Sequence, residues 1–205
     1  SWQTEANVDG LEALEEYVSA RMLQDRSRIG GRFLLELGRY GRLERSTMEN
    51  GTYTAYLLGR GLSDRETLER DTAIRTEVLK LIGGSGTPFT QDYRFDETES
   101  WLKERQEELN RLELEGPDAA IVRDELANTL RLIEQGAGLH RYIYRQGLEG
   151  AAPEREWLEW LRKQLETALS EFKRLWLARN REGGLSASAA AFAKLLAQYE
   201  EALQE

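Results

Sequence analysis

His140 is the only imidazole in the 205 residues, and there is no cysteine. Those two facts settle most of the chemistry open to the chain. Zinc, haem and iron–sulfur centres draw on several imidazole or thiolate ligands, and a nucleophile triad needs an imidazole base, a task that would fall to His140 alone. A di-iron helical bundle places a carboxylate three residues before each of two histidines, whereas residue 137 is Ala and no second His exists. His140 therefore reads as a structural or surface residue, and no cofactor or metal is expected. Two adjacent carboxylate pairs, Asp96-Glu97 and Asp124-Glu125, have the residue types of an acid–base or orienting dyad for glycoside chemistry. Both fall in helix-like stretches. Asp96 reads as a helix cap and Asp124-Glu125 as partners for nearby arginines, so neither pair is assigned a reaction.

Two further motifs reduce to local structure. Gly83-Gly84-Ser85-Gly86-Thr87-Pro88 has the glycine content of a phosphate loop but lacks the Lys that would meet the terminal phosphates, so it reads as a linker. Asn50-Gly51-Thr52 satisfies a glycosylation sequon and equally spells an Asn-Gly turn with Thr at a helix start, the reading preferred here. Among the five Trp, Trp157 and Trp160 lie three apart on one helix and Trp176 follows on the same helix. Trp176 is expected in the core. Trp157 and Trp160 straddle the apolar stripe and are candidates for a contact with another domain or partner.

The elements that must carry these residues are helical throughout. Hydrophobic residues make up 40% and charged residues 32% of the chain, enough apolar surface for a real core without crosslinks. Leu11, Leu14, Val18 and Met22, then Phe33, Leu34, Leu37 and Tyr40 beyond Gly30-Gly31, recur at helical spacing and predict two antiparallel helices. Tyr53 to Leu57 predicts a short helix. Ser63 and Glu66 have capping-box spacing ahead of a helix to about Ile82, with Ile74, Val78, Leu81 and Ile82 as its buried stripe. Asp96 and Glu99 repeat that spacing before a helix over 97–115. Gly116-Pro117 opens the next, with Val122, Leu126, Leu130 and Ile133 as its stripe, continuing through Gly136 and Gly138 to Tyr144 and predicting a close helix crossing or a kink at the glycines. The longest helix runs from Pro153 to Arg179, with Leu158, Leu161, Leu165, Ala168, Leu169, Phe172, Leu175 and Trp176 on one side, and is the expected spine. A last helix begins at Ser186 and buries Phe192, Leu195, Leu196, Tyr199 and Leu203.

The fold class is thus all-α, a multi-helix bundle of about seven helices, mostly antiparallel neighbours. It is read as a single domain over 1–205, with the Gly-rich linker 83–90 offering a division into sub-bundles 1–82 and 91–205. A net charge of −9 argues against a nucleic-acid partner, and no apolar run approaches the length of a membrane span. Arg outnumbers Lys 23 to 5, which predicts a surface laced with bidentate carboxylate pairs. The opening Ser1-Trp2-Gln3-Thr4-Glu5 has neither a basic leader nor an initiating Met and reads as part of a longer, cytoplasmic protein.

One stretch carries a distinctive signal. Leu175-Trp176-Leu177-Ala178-Arg179-Asn180-Arg181-Glu182-Gly183-Gly184-Leu185-Ser186-Ala187-Ser188, followed by an amphipathic helix through Tyr199, resembles the last helical region of bacterial family 20 glycoside hydrolases, the β-N-acetylhexosaminidases. Leu35-Glu36-Leu37-Gly38, the Asn50-Gly51-Thr52 turn and the helix with Asp124-Glu125-Leu126 fit in the same order. The resemblance implies a parent enzyme that cleaves terminal β-linked N-acetylhexosamines with the substrate's own acetamido oxygen as nucleophile. It carries no catalytic residue here: neither Asp-Glu pair follows a His-Xaa-Gly-Gly stretch, and no alternation of barrel strands and helices is present. What it implies for this segment is a non-catalytic C-terminal accessory domain. Its partners would be the catalytic barrel of the same chain or a second copy in a homodimer, with Trp157, Trp160, Arg179, Asn180 and Arg181 as candidate contacts. The alternatives are a free-standing helical protein-interaction module and a sugar-binding module, which would need aligned exposed aromatics in a shallow cleft.

Overall fold

A computed structural model of the chain describes residues 10–43, 52–62, 70, 73–74, 77, 81, 95–143, 145 and 154–204. Seven α-helices are bounded within them: α1 (Gly10–Tyr17), α2 (Gly30–Gly38), α3 (Tyr53–Arg60), α4 (Phe95–Arg111), α5 (Ala119–Ile143), α6 (Arg155–Arg179) and α7 (Leu185–Ala202). A π-helical turn, Val18–Met22, extends α1, and a 3₁₀ turn, Tyr40–Arg42, follows α2. Residues 70, 73, 74, 77 and 81 are also helical. No strand is present among the described residues, only one isolated bridge between Asp25 and Leu114. The all-α bundle expected from the periodicities is what forms, and none of these helices is long and apolar enough to cross a membrane.

Short connectors impose the packing. Residues 112–118 turn α5 back against α4, and residues 180–184 turn α7 back against α6, so each pair lies side by side and antiparallel. The stripe read on α6 is buried at Leu158, Leu161, Leu165, Ala168, Leu169 and Leu175, while Phe172 and Trp176 remain half-buried. The spine role is shared with α5, about 37 Å long, whose two ends serve two cores. Its N-terminal half gives Leu126 and Leu130 to a cluster with Phe33, Tyr40, Trp101 and Leu109. Its C-terminal half gives Leu139, Tyr142 and Ile143 to a cluster with Leu57 of α3, Leu161 and Leu165 of α6, and Leu195 and Tyr199 of α7.

Each core joins residues from both sides of the 83–90 stretch, which itself lies outside the described residues. Charge reinforces the joint between α2 and α4. Glu108, almost fully buried, meets Arg32 at 2.7 Å and the buried Arg105 at 2.9 Å, while Arg105 lies 3.7 Å from Glu36 and 5.6 Å from the centre of the Trp101 ring. Removing one member would leave an uncompensated charge inside, which is why such clusters hold segments together more firmly than exposed pairs do.

Three local readings hold. Thr52 caps α3, its Oγ1 accepting the Ala55 N–H at 3.1 Å. The two glycines of α5 mark a close crossing: a Cβ at Gly136 would stand 2.2 Å from Cγ2 of Thr54 on α3, and one at Gly138 would stand 2.9 Å from the Trp160 ring on α6. Asp124 and Glu125 are indeed partners of arginines, as the site below shows.

Other expectations fail for identifiable reasons. On α1, Leu11, Leu14 and Met22 are 41–66% exposed, because the side that meets α2 is the Glu15–Ser19 side, where Gly31 lets the two backbones touch. Ile74 and Leu81, read as part of a buried stripe, are 57% and 85% exposed, and Val78 and Ile82 lie outside the described residues. Asp96 stands in the first described turn of α4 instead of capping it, since Phe95 before it is already helical; there the carboxylate still favours the positive end of the helix dipole. The Ser63–Glu66 capping box and the Asn50-Gly51 part of the turn lie outside the described residues.

Candidate functional site

A cleft of about 650 Å³ opens between α4, α5 and α6. Its aromatic wall is the Trp157–Trp160 pair, stacked with ring centres 4.7 Å apart and planes inclined by 25°. The i, i+3 spacing places both indoles on the α5-facing side of α6, and Gly138 gives them room. Trp157 is fixed three ways: by Trp160, by its Nε1–H donating to the Gly138 carbonyl at 3.2 Å, and by the Arg141 guanidinium 4.7 Å above its ring. Arg141 is held in turn by Glu99 at 3.3 Å. Among the described residues, neither the Trp160 indole N–H nor the Gln164 amide one turn further along α6 makes a hydrogen bond.

The floor of the cleft is apolar, with Leu102, Leu130 and Ala137 among its residues. Ionisable groups stand around it in balance: Glu99, Glu107 and Glu134 against Lys103, Arg131 and Arg141. The Glu134 side chain opens to solvent on one side, yet loss of water on the other pushes its carboxyl above the ordinary glutamate value, with the Arg131 charge pulling part of the way back.

His140 is fully enclosed rather than surface-lying, its ring edge-on to Phe95 with centres 5.9 Å apart. Among the described residues no three His, Asp or Glu side chains gather as a metal would require. A second hollow of about 460 Å³, uncharged throughout, lies between α2, α3, α5 and α7 and is lined by Leu37, Tyr40, Leu58, Ile133 and Phe192, among others. Nearby, the fully buried Gln135 donates its Nε2–H to the Tyr199 hydroxyl at 2.8 Å, tying α5 to α7. Burial drives the Tyr199 phenol far above its ordinary value, so it stays neutral.

The Arg-Asn-Arg stretch forms the corner between α6 and α7, remote from the cleft lining. Arg179, the last residue of α6, grips Glu125 with Nε at 2.5 Å and Nη2 at 2.9 Å, and lies 3.5 Å from Asp118. Arg174 reaches Asp124 at 2.5 Å and also binds Glu171. Both carboxylates of the Asp124-Glu125 pair are thereby committed to arginines on α6. Asn180 leaves the helix in extended backbone, its N–H donating to the Trp176 carbonyl at 2.7 Å. The Trp176 indole N–H donates to the Arg181 carbonyl at 3.0 Å, which pulls the chain around the corner. Gly184 then adopts φ of +88°, a left-handed value that favours glycine, and starts α7.

Of the five candidate contact residues, the structure gathers Trp157 and Trp160 at the cleft and Arg179, Asn180 and Arg181 at the corner, as two separate places. Arg179 is engaged within the chain; Asn180 and Arg181 are exposed. The balanced polar rim of the cleft was not legible in sequence, because Glu134 and Gln164 sit on different helices whose pairing no spacing reveals. No family model, no curated protein and no solved structure matches the chain.

Proposed function

We propose that these residues form a non-catalytic helical accessory domain of a cytoplasmic β-N-acetylhexosaminidase of glycoside hydrolase family 20. The domain packs against the catalytic barrel of the same chain or joins two chains in a dimer. The observation that carries this reading is the use to which residues 175–188 are put. The residues that bear the resemblance build a rigid corner: Trp176 tethers Arg181, Arg179 clamps Glu125, and Gly184 turns the chain into α7. Each has a structural task that a docking scaffold needs and a reaction centre does not.

A second reading, a free-standing module that receives a protein partner, draws support from α1, where Leu11, Leu14, Tyr17 and Met22 stand exposed on one short helical segment. Exposed apolar clusters of this kind mark contact surfaces. The Trp157–Trp160 patch lends this alternative little, since both rings are half-buried against the core.

The accessory role is tested by assaying the purified chain on a chromogenic β-N-acetylglucosaminide. The rate should equal that of buffer. Turnover that tracks the folded protein through a thermal melt would overturn it.

A further inference from the structure

We infer that the cleft between α4, α5 and α6 is a binding site for a neutral saccharide ring, with Trp160 as its stacking platform. Three observations converge on that class of ligand. The cleft volume, about 650 Å³, lies in the range of small-molecule sites and admits one or two pyranose rings. Its aromatic wall is preorganised: Trp157 is locked by Gly138 and Arg141, so the Trp160 ring stacked on it is presented on a rigid support. Such a wall suits the apolar C–H face of a sugar, which packs on an indole as another ring would.

The polar groups decide between a sugar and other flat molecules. Three carboxylates and three cations surround the cleft and cancel, so neither an anion nor a cation gains net attraction there. Uncommitted hydrogen-bonding groups remain: the Trp160 N–H as a donor, the Gln164 amide as donor and acceptor, and the Glu134 carboxylate as an acceptor. Hydroxyls spaced around a ring satisfy that mixture, because each can donate and accept. A hydrocarbon would leave these groups stranded. The inference does not rest on the accessory role, since a sugar bound without turnover leaves that role intact.

The test titrates the full chain with glucose, cellobiose and N-acetylglucosamine, following Trp fluorescence and saturation-transfer NMR of the sugar. Adenosine, choline and glucuronate serve as the aromatic, cationic and anionic comparators. At least one neutral sugar should give a saturable response that Trp160→Ala abolishes and that Gln164→Ala and Glu134→Ala weaken about fivefold to tenfold. Trp160 packs beside the core, so the two polar substitutions, with far-ultraviolet circular dichroism as the folding check, keep the result decisive if Trp160→Ala unfolds. The inference is overturned if none of the three sugars gives a saturable response, or if affinity is unchanged in both polar variants. Tighter binding of any comparator than of every sugar also overturns it.

Discussion

Replacing Asp25 with alanine is expected to destabilise the fold by about 3–5 kcal/mol. Asp25 is 1% exposed and lies in the turn between the π-helical end of α1 and the start of α2. Its carboxylate accepts the backbone N–H groups of Ser27 at 3.1 Å, Ile29 at 3.0 Å, Gly30 at 2.9 Å and Glu113 at 2.8 Å, and the Ser27 hydroxyl at 2.7 Å. One side chain thus caps α2, closes its own turn and ties that turn to the α4–α5 connector. It also holds Gln24 and Arg28, both in the left-handed region at φ of 49° and 61°, at about 1 kcal/mol of strain each. Without it, the buried Gly30 N–H and several part-buried donors lose their acceptor together.

The same site sets an acid dependence. Burial alone raises the Asp25 pKa, but the Ser27 hydroxyl and the Glu113, Gly30 and Ser27 amides stabilise the anion more, and the net shift is below the ordinary 3.8. A depressed folded-state pKa means the stabilisation is fully present above the unfolded value and is lost as pH falls through the folded value. Urea unfolding of the native chain should therefore weaken below about pH 4, and Asp25→Asn should lose that component while being less stable at neutral pH. A neutral-pH difference under about 1 kcal/mol for Asp25→Ala would contradict the role assigned to this carboxylate.

The second large effect belongs to Gly31→Ala. A Cβ there would stand 2.0 Å from the Glu15 carbonyl oxygen and 2.7 Å from the Glu15 Cα, so it meets backbone that cannot rotate aside. The Gly31 N–H also donates to Ser19 Oγ at 2.8 Å, and Ser19 is fully buried, so α1 and α2 cannot separate without stranding that bond. Alanine gains about 1 kcal/mol of helix propensity, yet forcing the helices apart costs roughly 3 kcal/mol or more. Gly38→Ala is the control: it is helical with nothing within 4 Å of the added methyl, and its stability should change by under about 1 kcal/mol. Thermal unfolding of the two variants checks this, and a Gly31→Ala protein as stable as Gly38→Ala would show that α1 does not pack as described.

Periodicity made the long helices legible because α4 to α7 bury amphipathic faces by side-chain packing, the property that spacing encodes. The same rule misread α1, where the contact is backbone on backbone through Gly31 and the apolar residues are left outside. Asp25 was missed although its signal was present: Asp followed two residues later by Ser, then Gly-Gly at a helix start, spells an Asx turn that doubles as a cap. What no local pattern reveals is its partner at Glu113, 88 residues away. The cleft divides the same way. Trp157 and Trp160 stood out from their spacing, and the need for glycine at 138 was visible, but the rim of Glu134 and Gln164 exists only once α5 and α6 pair. The Asp124-Glu125 pair was correctly read as arginine-bound because Arg is abundant; that the arginines are Arg174 and Arg179 on α6 is a tertiary fact.

The central claim, that this bundle is scaffolding for a reaction centre elsewhere, is tested most directly by sequencing the reading frame on the N-terminal side of Ser1. The accessory role predicts an upstream segment of barrel length with alternating strands and helices and an Asp-Glu pair preceded by His-Xaa-Gly-Gly. A stop codon followed by a start immediately ahead of Ser1, or an upstream sequence without that alternation and that pair, would contradict it.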